Sequence, residues 1–228
     1  TFDDGYFNNS LVLPLLEQYN IPALFFVSTE QVIKQELFWW DVLFHQRISM
    51  EKKEKIKKHL KKLNPDSIRN FLISQFGDAG FKPGNDLERP FSPNELKDFA
   101  NHPLVSIGNH TKNHANLSYC SDDEIRNEFL SSRDDFLNIL GFKPDAISYP
   151  NGSFNKKVLV LARESGFKFG FTTIRKQNSL PLYERDFLSI NRFIFPRTTE
   201  NMVRKYMRIY ENKISIYNAS INLYDKMF

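Results

Sequence analysis

Two adjacent carboxylates, Asp3 and Asp4, stand in Thr1-Phe2-Asp3-Asp4-Gly5, and two histidines, His110 and His114, lie far downstream in Ser106-Ile107-Gly108-Asn109-His110-Thr111-Lys112-Asn113-His114. Carboxylate oxygen and imidazole nitrogen are donors that zinc accepts, and three protein ligands leave one position open for water, which is the catalytic rather than the structural pattern. Two histidines with one aspartate therefore read as a metal site, and the second aspartate is left over as an acid or base. The spacing of the histidines predicts a helical turn with both rings on one face. Each part alone is a weak signal, because an Asp-Asp-Gly triplet is most often a turn and histidines so spaced are most often solvated or capping residues. The combination is far more specific.

The surrounding pattern supplies elements that can position these groups. A β-branched residue and an aromatic favour a strand at Thr1-Phe2, and Gly5 permits the sharp turn that ends it. Asp3 and Asp4 then sit at a strand's C-terminal edge, where α/β barrels keep their chemistry. Leu11 to Tyr19 carries apolar residues at helical spacing, and Pro22 delimits a buried strand from Ala23 to Val27. The βα rhythm breaks from about Gln35 to Pro90. There Phe38-Trp39-Trp40-Asp41 opens a Lys-rich helical stretch with apolar residues at Ile56, Leu60 and Leu63, punctuated at its end by Gly77, Gly80, Pro83 and Gly84. This stretch, about 35–90, is expected to be a helical insertion in a single domain. The rhythm resumes at Ser92-Pro93-Asn94-Glu95, a capping box with proline at the first helical position. Val105 to Gly108 reads as a strand delivering the histidines, and Ser121 to Glu124 as a second capping box opening a helix to about Leu140. Ala146 to Tyr149, Asn155 to Ser165 and Phe169 to Thr173 read as strand, helix and strand, and a helical extension is expected from about 204.

Taken in order, Thr1-Phe2-Asp3-Asp4-Gly5, His110-Thr111-x-x-His114 and Ser148-Tyr149-Pro150-Asn151-Gly152 resemble the motifs of the polysaccharide deacetylase family, also called the NodB-homology or carbohydrate esterase family 4 domain. Ile21 to Val27 resembles its second strand, and Glu164-Ser165-Gly166-Phe167 a late helix-to-strand turn. The alternation of elements predicts a distorted (β/α) barrel, and the resemblance makes it a seven-stranded one that opens where an eighth strand would close it. The resemblance implies Asp3 as catalytic base, with Asp4, His110 and His114 as ligands of a divalent metal. Zinc is the first expectation, and cobalt, nickel or iron suit the same donors. It places the backbone N–H of Asn151 at the pocket for the developing oxyanion, and Tyr149, Pro150 and Gly152 along the substrate.

The chain also departs from the family pattern. Ser148 stands where many members carry an arginine that orients the catalytic aspartate, and Arg192, in Ser189-Ile190-Asn191-Arg192-Phe193, is the candidate to replace it from a later strand. No histidine follows His114, so the family's Leu-x-His proton donor has no counterpart here, and Asp186 echoes only the aspartate that supports it.

Composition narrows the function classes. The 228 residues are 41% hydrophobic, enough for one buried core. No apolar run approaches the roughly 20 residues that span a bilayer. Net charge is +4 and the pI about 9.0. The basic residues concentrate in Lys52 to Lys62, which reads as a solvated helix face and offers peripheral contact with an anionic membrane. No nucleic-acid module is present, so nucleic acid is not an expected partner. The single cysteine, Cys120, excludes an internal disulfide. Because the chain starts on the catalytic strand itself, it is expected to be a fragment. Its source would be a bacterial protein, cytoplasmic or membrane-associated, with any N-terminal signal or anchor absent from this chain. The expected activity is removal of N-acetyl groups from amino sugars of a polysaccharide or glycan-lipid, with release of acetate. The alternative is a catalytically weak carbohydrate-binding protein that keeps the barrel.

Overall fold

A computed structural model of the chain describes residues 1–193 and Arg204. Four parallel strands, β1 (Ala23–Val27), β2 (Val105–Asn109), β3 (Ala146–Ser148) and β4 (Phe169–Phe171), lie side by side in chain order. The β1 and β2 strands pair in register from Ala23 against Val105 to Val27 against Asn109. Single parallel bridges extend the sheet at both ends, Phe2 against Phe25 and Ile190 against Phe171. Parallel neighbours require crossovers, and eight helices provide them: α1 (Leu13–Tyr19), α2 (Thr29–Lys34), α3 (Trp39–His45), α4 (Met50–Leu60), α5 (Pro65–Phe76), α6 (Pro93–Ala100), α7 (Asp122–Leu140) and α8 (Lys156–Glu164).

The sheet is strongly curled. In a flat sheet β1 and β4 would lie roughly 14 Å apart, three strand spacings, with side chains standing off the surface. Yet the rings of Phe26 and Phe171 meet at 5.2 Å on the inner face. Side-chain alternation turns Phe25 and Val27 outwards, into a core with Leu16, Val32, Leu96 and Phe99, and Phe26 inwards. Gly108 is opposite Phe26 in register, and a Cβ there would enter the Phe26 ring, so the inner face closes only around a glycine. The alternating α/β pattern is therefore as expected, whereas four strands rather than seven are formed among the described residues. The first segment contributes only the Phe2 bridge, because the backbone turns away at once through Asp4 (φ 80°) and Gly5 (φ 95°). The last contributes, within the described residues, the Ile190 bridge.

Local sequence signals explain most helix boundaries. Ser92 and Ser121 each close a capping box, with Glu95 and Glu124 respectively, and Gly141 ends α7 in the left-handed conformation. Between β1 and β2, α3 to α5 gather a hydrophobic cluster of their own around Leu37, Val42, Leu60, Ile68, Leu72 and Phe81. Lysines of α4 pair within the helix, Lys55 with Glu51 and Lys57 with Glu54, as on a solvated face. Among the described residues no helix is long and apolar enough to cross a membrane. Of the helical extension expected from about 204, only Arg204 belongs to the described residues.

Candidate active site

The sheet brings its C-terminal strand ends together, and the expected site residues all follow them. Asp3 and Asp4 come directly after the Phe2 bridge, His110 after β2, Ser148 at the end of β3 and Arg192 after the Ile190 bridge. The turn that aims Asp4 depends on Gly5: its φ is positive, and a Cβ would lie 2.6 Å from Cγ1 of Val27.

Asp4 Oδ1 stands 3.5 Å from Nε2 of His110 and 3.3 Å from Nε2 of His114. Both separations are long for a direct N–H···O bond. They match the edge of a tetrahedron around an ion bound at about 2.1 Å, which is roughly 3.4 Å. The donor atoms of the three residues all lie within 4.8 Å of one another. Nδ1 of His110 donates to the Ser148 carbonyl at 2.7 Å, which leaves the Nε2 lone pair directed at the carboxylate. A cation between them resolves that opposition, and a carbonyl behind a liganding histidine is the usual outer support. The donor set fits a divalent ion. It reaches this arrangement differently from the expectation of a helical turn: residues 110–114 form an irregular loop in which Thr111 (φ 65°) and His114 (φ 54°) are left-handed. Two positive-φ residues reverse the chain so that both rings meet Asp4.

Asp3 belongs to a separate network. Arg192 grips it with both arms, Nη1 to Oδ1 at 2.7 Å and Nη2 to Oδ2 at 2.8 Å, and Ser148 Oγ donates to Oδ2 at 3.1 Å. The same guanidinium donates to Ser148 Oγ, to the Thr172 carbonyl and to Thr1 Oγ1. The small Ser148 side chain leaves the room that Arg192 fills from across the curled sheet. Burial works to raise the Asp3 pKa, but the Arg192 hydrogen bonds, helped by the charges of His110 and Arg192, hold it below the ordinary carboxylate range. Asp4 is likewise buried, and the two imidazoles facing it take its pKa far below that range. Burial lowers the pKa of His114, whereas for His110 the facing Asp4 carboxylate and the charge of Asp3 outweigh burial and raise it.

The third motif forms the turn after β3. Asn151 is left-handed (φ 56°) and exposed, and Gly152 (φ 66°) packs so close to Thr173 that a side chain is excluded. Pro150 is buried. Tyr149 requires a correction as a substrate contact: it is 1% exposed, its ring stacks on Phe154, and its hydroxyl donates to the Leu188 carbonyl. Strand alternation turns it into the core beside Ser148, so its side chain cannot reach a glycan.

Two residues at the site, Tyr6 and Asp41, went unassigned in the sequence. Tyr6, immediately after the turn, donates to Asp41 Oδ2 at 2.5 Å and accepts from Trp40 Nε1 at 2.8 Å. Burial pushes the Asp41 carboxyl up to about 6, although the Tyr6 hydrogen bond and His45 work to lower it. The Trp40 ring lies 4.6 Å from that of His114, edge to face, and stacks on Phe38 at 4.5 Å. The helical stretch between β1 and β2 thus walls one side of the Asp4-His110-His114 cluster, and its signal was the compact run Phe38-Trp39-Trp40-Asp41.

Comparison with known proteins agrees with this geometry. A peptidoglycan-N-acetylglucosamine deacetylase of Bacillus cereus is 36% identical over 75 residues, which is 33% of this chain and 27% of that protein. This chain thus spans only about a quarter of that relative. A Streptococcus pyogenes deacetylase solved in complex with acetate superimposes with a TM-score of 0.56 at 22% identity, over 89% of this chain and 67% of that one. A de-N-acetylase from Aggregatibacter actinomycetemcomitans gives 0.58 at 17% identity, over 90% and 72%. At such identities the two structures speak for the fold alone. The sequence model described as Polysaccharide deacetylase matches residues 1–170, a span holding all three motifs and every donor of the metal site, and the chain belongs to that family.

Proposed function

We propose that the protein is a metal-dependent hydrolase that removes N-acetyl groups from amino sugars of a polysaccharide or glycan-lipid and releases acetate. One observation carries this proposal: an aspartate held ionised by a two-armed arginine lies beside, but outside, an Asp-His-His donor set. A pure binding site has no use for that second carboxylate. The family resemblance supports a distorted barrel of seven strands, to which the four strands of the curled sheet would belong.

Asp4, His110 and His114 would hold the ion, zinc first among those the donors suit. When bound, it supplies Lewis acidity and makes water easier to deprotonate near neutral pH. Asp3 takes the proton of the attacking water. Arg192 and Ser148 fix the orientation of its carboxylate, so no energy is lost in reorganising the base during reaction. The water oxygen bonds to the acetyl carbon, the C–N bond breaks, and the sugar nitrogen leaves as the amine, taking the proton that Asp3 received from the water. The Asn151 backbone N–H, on the turn at the strand ends, is the candidate donor to the developing oxyanion.

The test is acetate release from a panel of N-acetylated oligosaccharides by the zinc-loaded protein and by Asp3→Asn, with metal quantified in both. Release by the parent alone, with metal retained in both, is the expected result. Bound metal without release from any substrate would favour a glycan-binding role instead.

A further inference from the structure

Helix α7 buries one carboxylate. Glu128 is 3% exposed, on an inward stripe otherwise built from Ile125, Phe129, Ser132 and Phe136. A charged group in such a place needs full compensation, and its hydrogen-bonding partners are all neutral. Oε2 accepts from the Asn113 backbone N–H at 2.9 Å and Oε1 from Asn113 Nδ2 at 2.7 Å, and Thr111 and Lys112 lie near enough to favour its charged form. Every partner comes from the short stretch between the two histidine ligands.

That stretch needs an external hold. Thr111 and His114 both occupy the left-handed region, sparsely populated for residues other than glycine. The two histidines are supported unequally. His110 is fixed independently, by its backbone N–H to the Val27 carbonyl, its carbonyl to Ser28 Oγ and its ring to the Ser148 carbonyl. His114 has no partner at Nδ1 and depends on ring packing and on the loop before it. A second tie from the same helix supports that loop, as Ser132 accepts from Asn109 Nδ2 while Asn109 Oδ1 accepts from the Thr111 backbone.

We propose that Glu128 is a positioning residue that holds the backbone of residues 111–113 so that His114 is aimed at Asp4, and that it thereby sets the affinity of the site for a divalent ion. This rests on the assignment of Asp4, His110 and His114 as the ligands. The role differs from ordinary core packing because the carboxylate organises a loop outside its own helix.

The experiment measures zinc affinity by competition with a chromogenic chelator, alongside the melting temperature of the metal-free protein. The variants are Glu128→Gln, Asn113→Ala, their double and His114→Ala. Glu128→Gln keeps the size of the side chain but turns an N–H donor against a donor of Asn113. Its zinc dissociation constant should rise about 10–100-fold, as for lost outer supports of metal ligands. Asn113→Ala should weaken zinc in the same direction, and the double variant should be weaker by less than the product of the two, because both act through one clamp. Asn113 lies outside the core, so its variant keeps the test open if Glu128→Gln fails to fold. Zinc affinity within about twofold of the parent in the folded variants, with a drop only in the metal-free melting temperature, would make Glu128 merely structural and overturn the proposal. His114→Ala separates the two levels: if it binds zinc like the parent, the ligand assignment itself fails.

Discussion

Removing the Arg192 side chain should disable turnover while leaving the metal in place. Its guanidinium makes two parallel bonds to Asp3, at 2.7 and 2.8 Å, with side-chain exposures of only 13% and 30% for the pair. In Arg192→Ala, Asp3 keeps Ser148 as its remaining side-chain donor. Breaking a fully buried ion pair costs about 3–5 kcal/mol; the partial exposure of Asp3 places this one lower, at about 2–3 kcal/mol of stability. The catalytic loss should be larger than stability explains, because a positioned base contributes roughly 10²–10⁴-fold to rate. Arg192→Lys keeps the charge but not the fork. Losing one charge-assisted bond of about 1.5–3 kcal/mol predicts a kcat roughly 10–150-fold below the parent, so activity should fall in the order Arg, Lys, Ala. Arg192 also holds the Asp3 pKa down, and in the proposed reaction Asp3 works as the carboxylate. The acidic limb of kcat/KM should therefore move to higher pH in Arg192→Ala. Acetate release across a pH series, with bound zinc and unfolding measured on each sample, gives all of these quantities. An Arg192→Ala enzyme with full zinc and unchanged kcat would refute the role of Arg192 and the assignment of Asp3 as the base it orients.

Other perturbations probe the frame around the site. Gly5→Ala should cost about 1–3 kcal/mol in denaturant unfolding and weaken zinc binding, since the new methyl meets Val27 and displaces Asp4; a parent-like variant would mean that the turn is not tight. Asp41 titrates at about 6, above its unfolded value of 3.8. Its favourable contribution is thus complete below the unfolded value and lost as pH rises through about 6. Asp41→Asn keeps an acceptor for Tyr6 and escapes that loss, so the melting temperature of the metal-free variant should gain on the parent as pH rises through that range. Glu95 shows the opposite sign: the Arg89 bonds, working against burial, hold its carboxyl at about 2. The stability it contributes is present above its unfolded value and lost as pH falls towards 2. Arg89→Ala should therefore be less stable at neutral pH and lose less on acidification, as read by acid titration of the far-ultraviolet signal.

Features set by nearest neighbours along the chain were legible in the amino-acid order. Ser92 and Ser121 announce α6 and α7, because a capping box is complete within four residues and needs no tertiary partner. The strand Ala23–Val27 shows as an apolar run behind a proline, and the Asp-Asp-Gly turn is legible because only glycine tolerates that backbone so near Val27. Asp3, Asp4, His110 and His114 could be picked out as candidates for the same reason: few residue types bind metal or move protons, and here they occur in a recognisable order. The means by which the histidines converge was not. Spacing alone favours a helical turn, and the left-handed Thr111 and His114 are stabilised by α7, far away in sequence.

The amino-acid order by itself determined the cast of the chemistry and the alternation of strands and helices that carries it. Tertiary structure alone decided who serves whom. Arg192 reaches Asp3 and Ser148 because the sheet curls until its two ends touch. Tyr149, beside Ser148 in the same motif, turns into the core because strand alternation allows only one of the two to face the site. Asp41, on α3, and Glu128, in the middle of an ordinary amphipathic helix, acquire meaning only when packing sets one near the Asp4-His110-His114 cluster and the other under the loop of His114. Bonding along the chain falls off within a few residues, whereas orientation of a base or a ligand depends on groups that only the folded sheet brings within reach.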